Sequence, residues 1–118
     1  SEAKQNTLKL AFGIHRGPSA APAKLLRQIE SDAQALAVSI RAGGHKLAYI
    51  AACVGKSEAY VCQLRKGVRP IPDTLVLPLC AATGSLLLQQ FRDLQAAMEE
   101  VTEARRVEQL AKMLREVA

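Results

Sequence analysis

The sequence predicts an all-α protein with several short helices, a long C-terminal helix and an extended N-terminal arm. From residue 22 onward, apolar residues recur at steps of three and four, the period of an α-helix. Only 3% of the 118 residues are aromatic, so the core must be built from aliphatic side chains, of which Leu and Ala favour helices. The pattern divides the chain into an arm (1–21), a helical domain (22–84) and a last helix (85–118).

The predicted arm contains a strand-like pattern. Apolar residues alternate with polar ones at Leu8, Leu10, Phe12 and Ile14, and the segment HRGPSAAP ends the alternation. A single strand is not stable alone. The arm is therefore disordered, docked in extended form on the body, or exchanged between two copies, and we favour the first two.

The first helical pattern begins at Pro22 and ends at Gly43 and Gly44. Ser31 and Gln34 have the spacing of a capping box, which allows a break near residue 31. The residues predicted to share one buried face are Leu26, Ile29, Ala33, Leu36 and Ile40.

Two short helical patterns follow in the stretch KLAYIAACVGKSEAYVCQLRKGVRP, separated only by Gly55, Lys56 and Ser57. Gly55 tolerates the positive φ that a tight turn needs, and Ser57 can cap the second helix. Ala51 is small enough to let two steeply crossing helices touch. The apolar faces are Leu47, Ile50 and Val54 in the first helix and Val61 and Leu64 in the second. This is the pattern of a helix-turn-helix.

The next predicted helix begins at Pro72, with Asp73 near its positive end, and stops at Gly84. Leu75, Leu79 and Ala82 form its buried face. Pro78 removes one backbone hydrogen bond, so we expect it to kink or split this helix.

Ser85 can cap the last helix, which meets no Gly or Pro before the C-terminus. Its first half has the seam of a coiled coil, but continuing the same steps reaches Arg105 and Glu108. The apolar pattern resumes in a shifted phase, so the face rotates or the helix bends near residues 102–106. We predict that two copies pair through Leu87, Phe91, Leu94, Met98, Val101, Leu110 and Leu114.

The positive charge is concentrated in the centre of the chain. The net charge is +5, and residues 46–70 hold five basic residues and one acidic residue. Residues 85–118 are nearly balanced, with five basic and six acidic residues. The centre therefore suits a polyanionic partner, and the tail suits something else.

The stretch LAYIAACVGKSEAYVCQLRKGVRPIPD…LPLCAATG resembles the DNA-binding domain of the Cro and phage-repressor type, the xenobiotic-response-element group of bacterial regulators. The resemblance covers about residues 33–84. Lys56 stands at a turn position that is usually apolar in this family, and Glu58 replaces the commoner amide. The resemblance implies a bundle of about five helices that binds a palindromic operator as a dimer.

An outward face of the second short helix would read base edges in the major groove. With Val61 and Leu64 inward, about 100° per residue places the predicted base-contacting residues outward or at the edge: Glu58, Ala59, Cys62, Gln63 and Lys66. The predicted phosphate contacts are Lys46, Lys56, Ser57, Tyr60, Arg65 and Arg69. The resemblance also places Tyr60 among the recognition residues, although an edge-of-core role is an equal alternative. For Cys62, a simple packing contact is favoured over a redox switch.

Other chemistry is not indicated. We find no Gly-rich phosphate loop, no spaced carboxylate pair and no nucleophile beside a base, so we expect no enzyme and no small-molecule substrate. Three cysteines without CxxC spacing and two histidines predict no metal or cofactor, and Cys53 and Cys80 are expected to be buried. No apolar run suits a membrane span.

The favoured function is a sequence-specific transcriptional regulator, a repressor of phage or mobile-element type, in the cytoplasm of a bacterium or phage-infected cell and associated with the nucleoid. A protein-interaction or scaffold module and a partition-type DNA-binding protein are the alternatives. Dimer and tetramer both remain open.

Overall fold

The computed structural model describes residues 17–118, so the strand-like pattern at residues 8–14 lies outside the described part. Six helices and no strand are present in residues 17–118, which confirms the all-α class with a long C-terminal helix. The helices are α1 (Ala23–Leu26), α2 (Asp32–Gly43), α3 (Leu47–Val54), α4 (Glu58–Lys66), α5 (Asp73–Thr83) and α6 (Leu87–Val117).

The chain breaks between α1 and α2, where a single helix from Pro22 was the simpler expectation. Ser31 Oγ accepts a hydrogen bond from the Gln34 amide at 3.1 Å, and Gln34 Oε1 accepts one from the Glu30 amide at 2.6 Å. These side chains satisfy amides that a helix start leaves without intrahelical partners. The capping pair thus starts a new helix, and the preceding turn buries Ile29.

Apart from Phe91 and Cys80 the core is aliphatic, as predicted, and the five helices α2–α6 contribute to it. Ile50 of α3 and Val61 and Leu64 of α4 are completely buried, and Gly55 between them has a φ of 70°. At Gly43, any Cβ would overlap the carbonyl oxygen of Thr83. Glycine is therefore needed there for the close approach of α2 and α5, and not only to end α2.

Helix α5 continues through Pro78, so the expected split does not occur. Leu75, Leu79 and Ala82 are buried as predicted, and tertiary packing on both sides of Pro78 outweighs the missing hydrogen bond. Pro72 was expected at the first helical position. It instead has an extended backbone and is the N-cap, so the helix begins at Asp73.

Helix α6 has 31 residues and two different environments. Leu87 and Phe91 are 1% and 6% exposed in the protein's own core, so their assignment to a seam between copies is wrong. The apolar period is the same whether a helix covers its own domain or a partner. Beyond Leu94 the helix projects from the body, and the molecule measures 71 × 32 × 23 Å. No helix in residues 17–118 combines the length and apolarity needed to cross a membrane.

Arg92 links α6 to three other segments of the chain through hydrogen bonds. Its guanidinium donates to Asp32 Oδ2 at 3.1 Å, to Asp73 Oδ1 and to the Ile71 carbonyl oxygen. These partners lie at the starts of α2 and α5 and in the loop before α5. One side chain therefore fixes the relative positions of three helices.

Residues 19–21 dock on the start of α6. The Ser19 amide donates to the Gly84 carbonyl at 3.0 Å, and the Leu86 amide donates to the Ser19 carbonyl at 2.8 Å. The Gln90 side chain exchanges two hydrogen bonds with the Ala21 backbone. This end of the predicted arm is therefore docked in extended form.

Candidate nucleic-acid interface

Helix α4 is held at both ends and on one face. Ser57 Oγ accepts from the Tyr60 amide at 3.1 Å, as predicted, and the helix ends at Gly67. Val61 and Leu64 are fully buried, which turns the opposite side of the helix toward solvent. A short helix fixed in this way presents its outer side chains from a rigid frame.

The five predicted base-contacting residues lie on or beside this outer side. Glu58, Ala59 and Lys66 are exposed, and Cys62 and Gln63 are half-buried. None of them is enclosed by the protein's own packing. The structure therefore brings the predicted set together on one accessible strip of α4.

One flank of the strip carries a cluster that we name the Tyr60 cluster: Lys56, Tyr60 and Arg69. The Lys56 ammonium lies 5.2 Å and the Arg69 guanidinium 4.9 Å from the centre of the Tyr60 ring. Both distances suit cation–π attraction. This contact explains why a lysine occupies the turn position, because the Tyr60 ring supplies a surface on which a charged side chain can rest.

Arg69 also touches the base-contacting strip. Its Nε donates to Gln63 Oε1 at 3.0 Å, and its backbone amide lies 3.4 Å from the Gln63 carbonyl oxygen. The loop after α4 thus folds back to orient the Gln63 amide. The sequence did not predict this contact, since the two residues are separated by the end of the helix.

The other flank carries the Arg65 cluster: Arg41, His45 and Arg65. These side chains line one surface depression together with Gly44, where α2 ends and α3 begins. The His45 ring also lies 4.6 Å from the Tyr49 ring, measured between centroids. Arg41 was missed from the sequence, because only the packing of α2 against α4 brings it beside Arg65.

Cys62 sits between the two flanks in a positive environment. Arg65 Nη2 lies 3.7 Å from its sulfur and donates to it. This hydrogen bond, together with the charges of Lys66 and Arg65, lowers the pKa of the Cys62 thiol. Cys62 therefore ionises more readily than an ordinary cysteine.

The other two cysteines differ from Cys62 and from each other. Cys80 is buried as expected, and burial raises the pKa of its thiol. Cys53 is exposed, so its predicted burial is wrong. Its position on α3 lies outside the buried face, and the neighbouring Cys53 thiol raises the pKa of the Tyr49 hydroxyl.

Positive charge dominates around α4. The segment from residue 41 to residue 69 contains six basic residues and a single acidic one, Glu58. Lys46, just before α3, and Lys66, at the end of α4, are also exposed. In residues 17–118, no three His, Cys, Asp or Glu side chains are placed to hold a metal ion.

Comparisons with protein families, with curated proteins and with solved structures find no match for this chain. The geometry around α4 and the sequence pattern that forms it are therefore the observations that bear on function.

Proposed function

We propose that the protein is a sequence-specific DNA-binding regulator that represses transcription, with α4 in the major groove of a palindromic operator. One observation carries this proposal: the accessible outer strip of α4 is flanked on both sides by cationic clusters. A major groove about 12 Å wide admits one α-helix, and a phosphate backbone runs along each of its edges. The resemblance to the Cro and phage-repressor type supports the same arrangement.

The strip offers several kinds of base contact. An amide such as Gln63 can bond adenine N6 and N7, and Lys66 can donate to guanine O6 or N7. Ala59 and the Cys62 sulfur suit a thymine methyl group, and Glu58 can accept from cytosine N4. Arg69 uses one lone pair of Gln63 Oε1, which leaves the second lone pair and the Nε2 hydrogens for a base.

The two clusters would contact opposite edges of the groove. At about 100° per residue, Tyr60 and Arg65 lie on opposite sides of the buried Val61 and Leu64 face. The Tyr60 cluster therefore points to one backbone and the Arg65 cluster to the other. If about five charges engage phosphates, log K should fall with log salt at a slope of roughly −4 to −5 per monomer.

Dimerisation belongs to the same proposal. We call residues 95–117 the free part of α6. It exposes Met98, Val101, Leu110 and Leu114, and Leu94 at its base is half-buried. A dimer formed there would present two copies of α4 to half-sites about 34 Å apart. Repression would follow when the bound dimer blocks polymerase at an overlapping promoter, in a bacterial or phage-infected cytoplasm near the nucleoid.

The test is binding of the full chain to random-sequence duplex at salt concentrations from about 50 to 200 mM. We expect binding that weakens with salt, and Lys56→Gln or Arg69→Gln should reduce the slope by about 1 each. Lys112→Gln, on α6, is the matched control with the same loss of charge and should leave the slope unchanged. Salt-independent binding, or equal effects of all three substitutions, would contradict the proposal.

A second candidate is a protein-interaction module, favoured by the exposed apolar residues of α6 such as Met113 and Val117. Such a module needs no cationic surface around α4. If the full chain shows no duplex binding at low salt, this alternative replaces the DNA-binding proposal.

A further inference from the structure

Most apolar side chains on and beside the free part of α6 form two groups on different faces, and Met113 lies outside both. The proximal group is Leu94, Met98 and Val101, and the distal group is Val107, Leu110 and Leu114. At about 100° per residue, Leu94 and Leu114 point roughly 160° apart. A straight partner helix centred on one group alone would leave the other group in water.

A row of alanines runs between the two groups. Ala97, Ala104, Ala111 and Ala118 follow each other at intervals of seven residues. Relative to Ala104, Val101 lies roughly 60° to one side of the row and Val107 roughly 60° to the other. Small side chains let two helix backbones approach closely, with larger apolar residues packing along the edges of the contact.

The pattern on either side of Ala104 is symmetric. Val101 and Val107 are each three residues from it, Ala97 and Ala111 are each seven, and Leu94 and Leu114 are each ten. A second α6 running in the opposite direction, centred on Ala104, would therefore meet an apolar residue at each of these levels. The face that looks discontinuous along one helix becomes continuous across two.

The charges distinguish the two directions, because a parallel pair in register would place each charged residue beside its own copy. Asp93 and Arg115 are each eleven residues from Ala104, and Glu103 and Arg105 are its neighbours, so opposite charges share a level in each case. Glu100 and Glu108 form the single like-charge level between residues 93 and 115. Lys112 follows Glu108 by four residues on the same helix, a spacing that offsets part of this repulsion.

We propose that α6 pairs with α6 of a second copy in antiparallel orientation, with Ala104 at the two-fold axis. This deepens the proposed function by giving its dimer an orientation and a register. The two bodies would leave the helix pair near Arg92, twelve residues from the axis on each side. At ~1.5 Å per residue, the two attachment points are about 36 Å apart, similar to one turn of B-DNA.

Cysteine cross-linking of the full chain tests the orientation. In a background with Cys53→Ser and Cys62→Ser, we expect Ala104→Cys to form a disulfide-linked dimer on mild oxidation. Ala97→Cys alone should not, because its two copies would lie about 21 Å apart, beyond the 4.4–6.8 Å that a disulfide spans between Cα atoms. A mixture of Ala97→Cys and Ala111→Cys should form the mixed dimer. Cross-linking of Ala97→Cys with itself, or a monomer in sedimentation, would overturn the proposal.

A charge exchange provides a second readout without cysteines. Asp93→Arg and Arg115→Asp should each weaken self-association about three- to tenfold, since each places like charges at one level of the antiparallel pair. An equimolar mixture of the two variants should regain the association of the unchanged chain. No recovery in the mixture would contradict the register.

These measurements separate this inference from the proposed function. Antiparallel cross-links without salt-dependent duplex binding would leave the helix pair standing and remove the DNA-binding proposal. Salt-dependent duplex binding by a chain in which Ala97→Cys cross-links with itself would do the reverse.

Discussion

Helix α4 and the free part of α6 are both regular helices, yet they are stabilised in different ways. α4 has nine residues, a serine cap, a terminal glycine and a buried face that includes Leu64 at 0% exposure. Beyond Leu94, α6 has no comparable cover, and Leu114 is 64% exposed. Most helices in proteins depend on packing of an apolar face. The body can therefore present α4 by itself, whereas the end of α6 lacks such packing within its own chain and would gain it in the proposed pair.

The largest expected difference between the two regions comes from truncating one leucine side chain in each of them. Leu64→Ala should lower the free energy of unfolding of the body by about 2–5 kcal/mol, because it leaves a cavity in a closed core. Leu114→Ala should change the same quantity by less than about 0.5 kcal/mol at low protein concentration. Urea unfolding of both variants measures the difference.

Self-association should show the opposite ranking for these leucines. Leu114→Ala should weaken the dimer in sedimentation, whereas Leu64→Ala should not do so while it remains folded. Equal destabilisation of the body by both substitutions would show that the end of α6 packs on its own domain.

Arg92 lies where α6 leaves the body, so its substitution tests which contacts of α6 stabilise the body. Arg92→Met should cost about 1–3 kcal/mol of unfolding free energy, because two carboxylates and the Ile71 carbonyl lose a charge-assisted donor. Arg106→Met is the control, since its contact with Glu103 is an exposed pair at 3.9 Å. Such pairs contribute little, and we expect a change below about 0.5 kcal/mol. Equal losses in thermal or urea unfolding would contradict the role of Arg92.

The cap of α4 provides a smaller effect that separates stability from binding. Ser57→Ala should lower the unfolding free energy by about 1 kcal/mol, because the Tyr60 amide loses its acceptor. Ser57→Asp keeps an acceptor at the helix start and should retain most of the stability. Its added negative charge should nevertheless weaken duplex binding. Normal duplex binding by the folded Ser57→Asp protein would place the start of α4 away from DNA.

The cysteines should differ in reactivity rather than in stability. The lowered pKa of Cys62 keeps a thiolate at pH values where an ordinary thiol is protonated, whereas the raised pKa of Cys80 requires higher pH. Alkylation followed by peptide mass spectrometry should therefore label Cys62 first, with an onset at lower pH than for Cys80. Arg65→Gln should move the Cys62 onset to higher pH. An unchanged onset in that variant would contradict the contribution of Arg65.

Local rules predicted much of the fold because they depend on near neighbours in sequence. The Ser57 cap and the positive φ of Gly55 follow from short spacings. Ser85 was expected to cap α6; its Oγ accepts from the Leu87 amide at 3.1 Å, but the N-cap position is Leu86. The buried faces of α3, α4 and α5 follow from the helical period. The accessible strip of α4 follows from the same period once Val61 and Leu64 are placed inward.

What the sequence did not predict depends on contacts between distant segments. Arg92 reaches Asp32 across 60 residues, and Arg41 reaches the α4 surface through α2. Leu87 and Phe91 were assigned to a second copy because periodicity does not identify the covering surface. Pro78 was expected to kink or split α5, because propensity carries no information about the core that holds both halves together; the helix continues through it.

Selection of bound sites from a pool of random duplexes is the most direct test of whether α4 contacts bases. The full chain is incubated with the pool, and the retained sequences are determined over several rounds. We expect an enriched two-fold-symmetric site whose half-sites are centred about one helical turn apart. Combining Gln63→Ala with Lys66→Ala should abolish this enrichment. Retention without any enriched sequence, or the same enrichment by the double variant, would contradict base contact by α4.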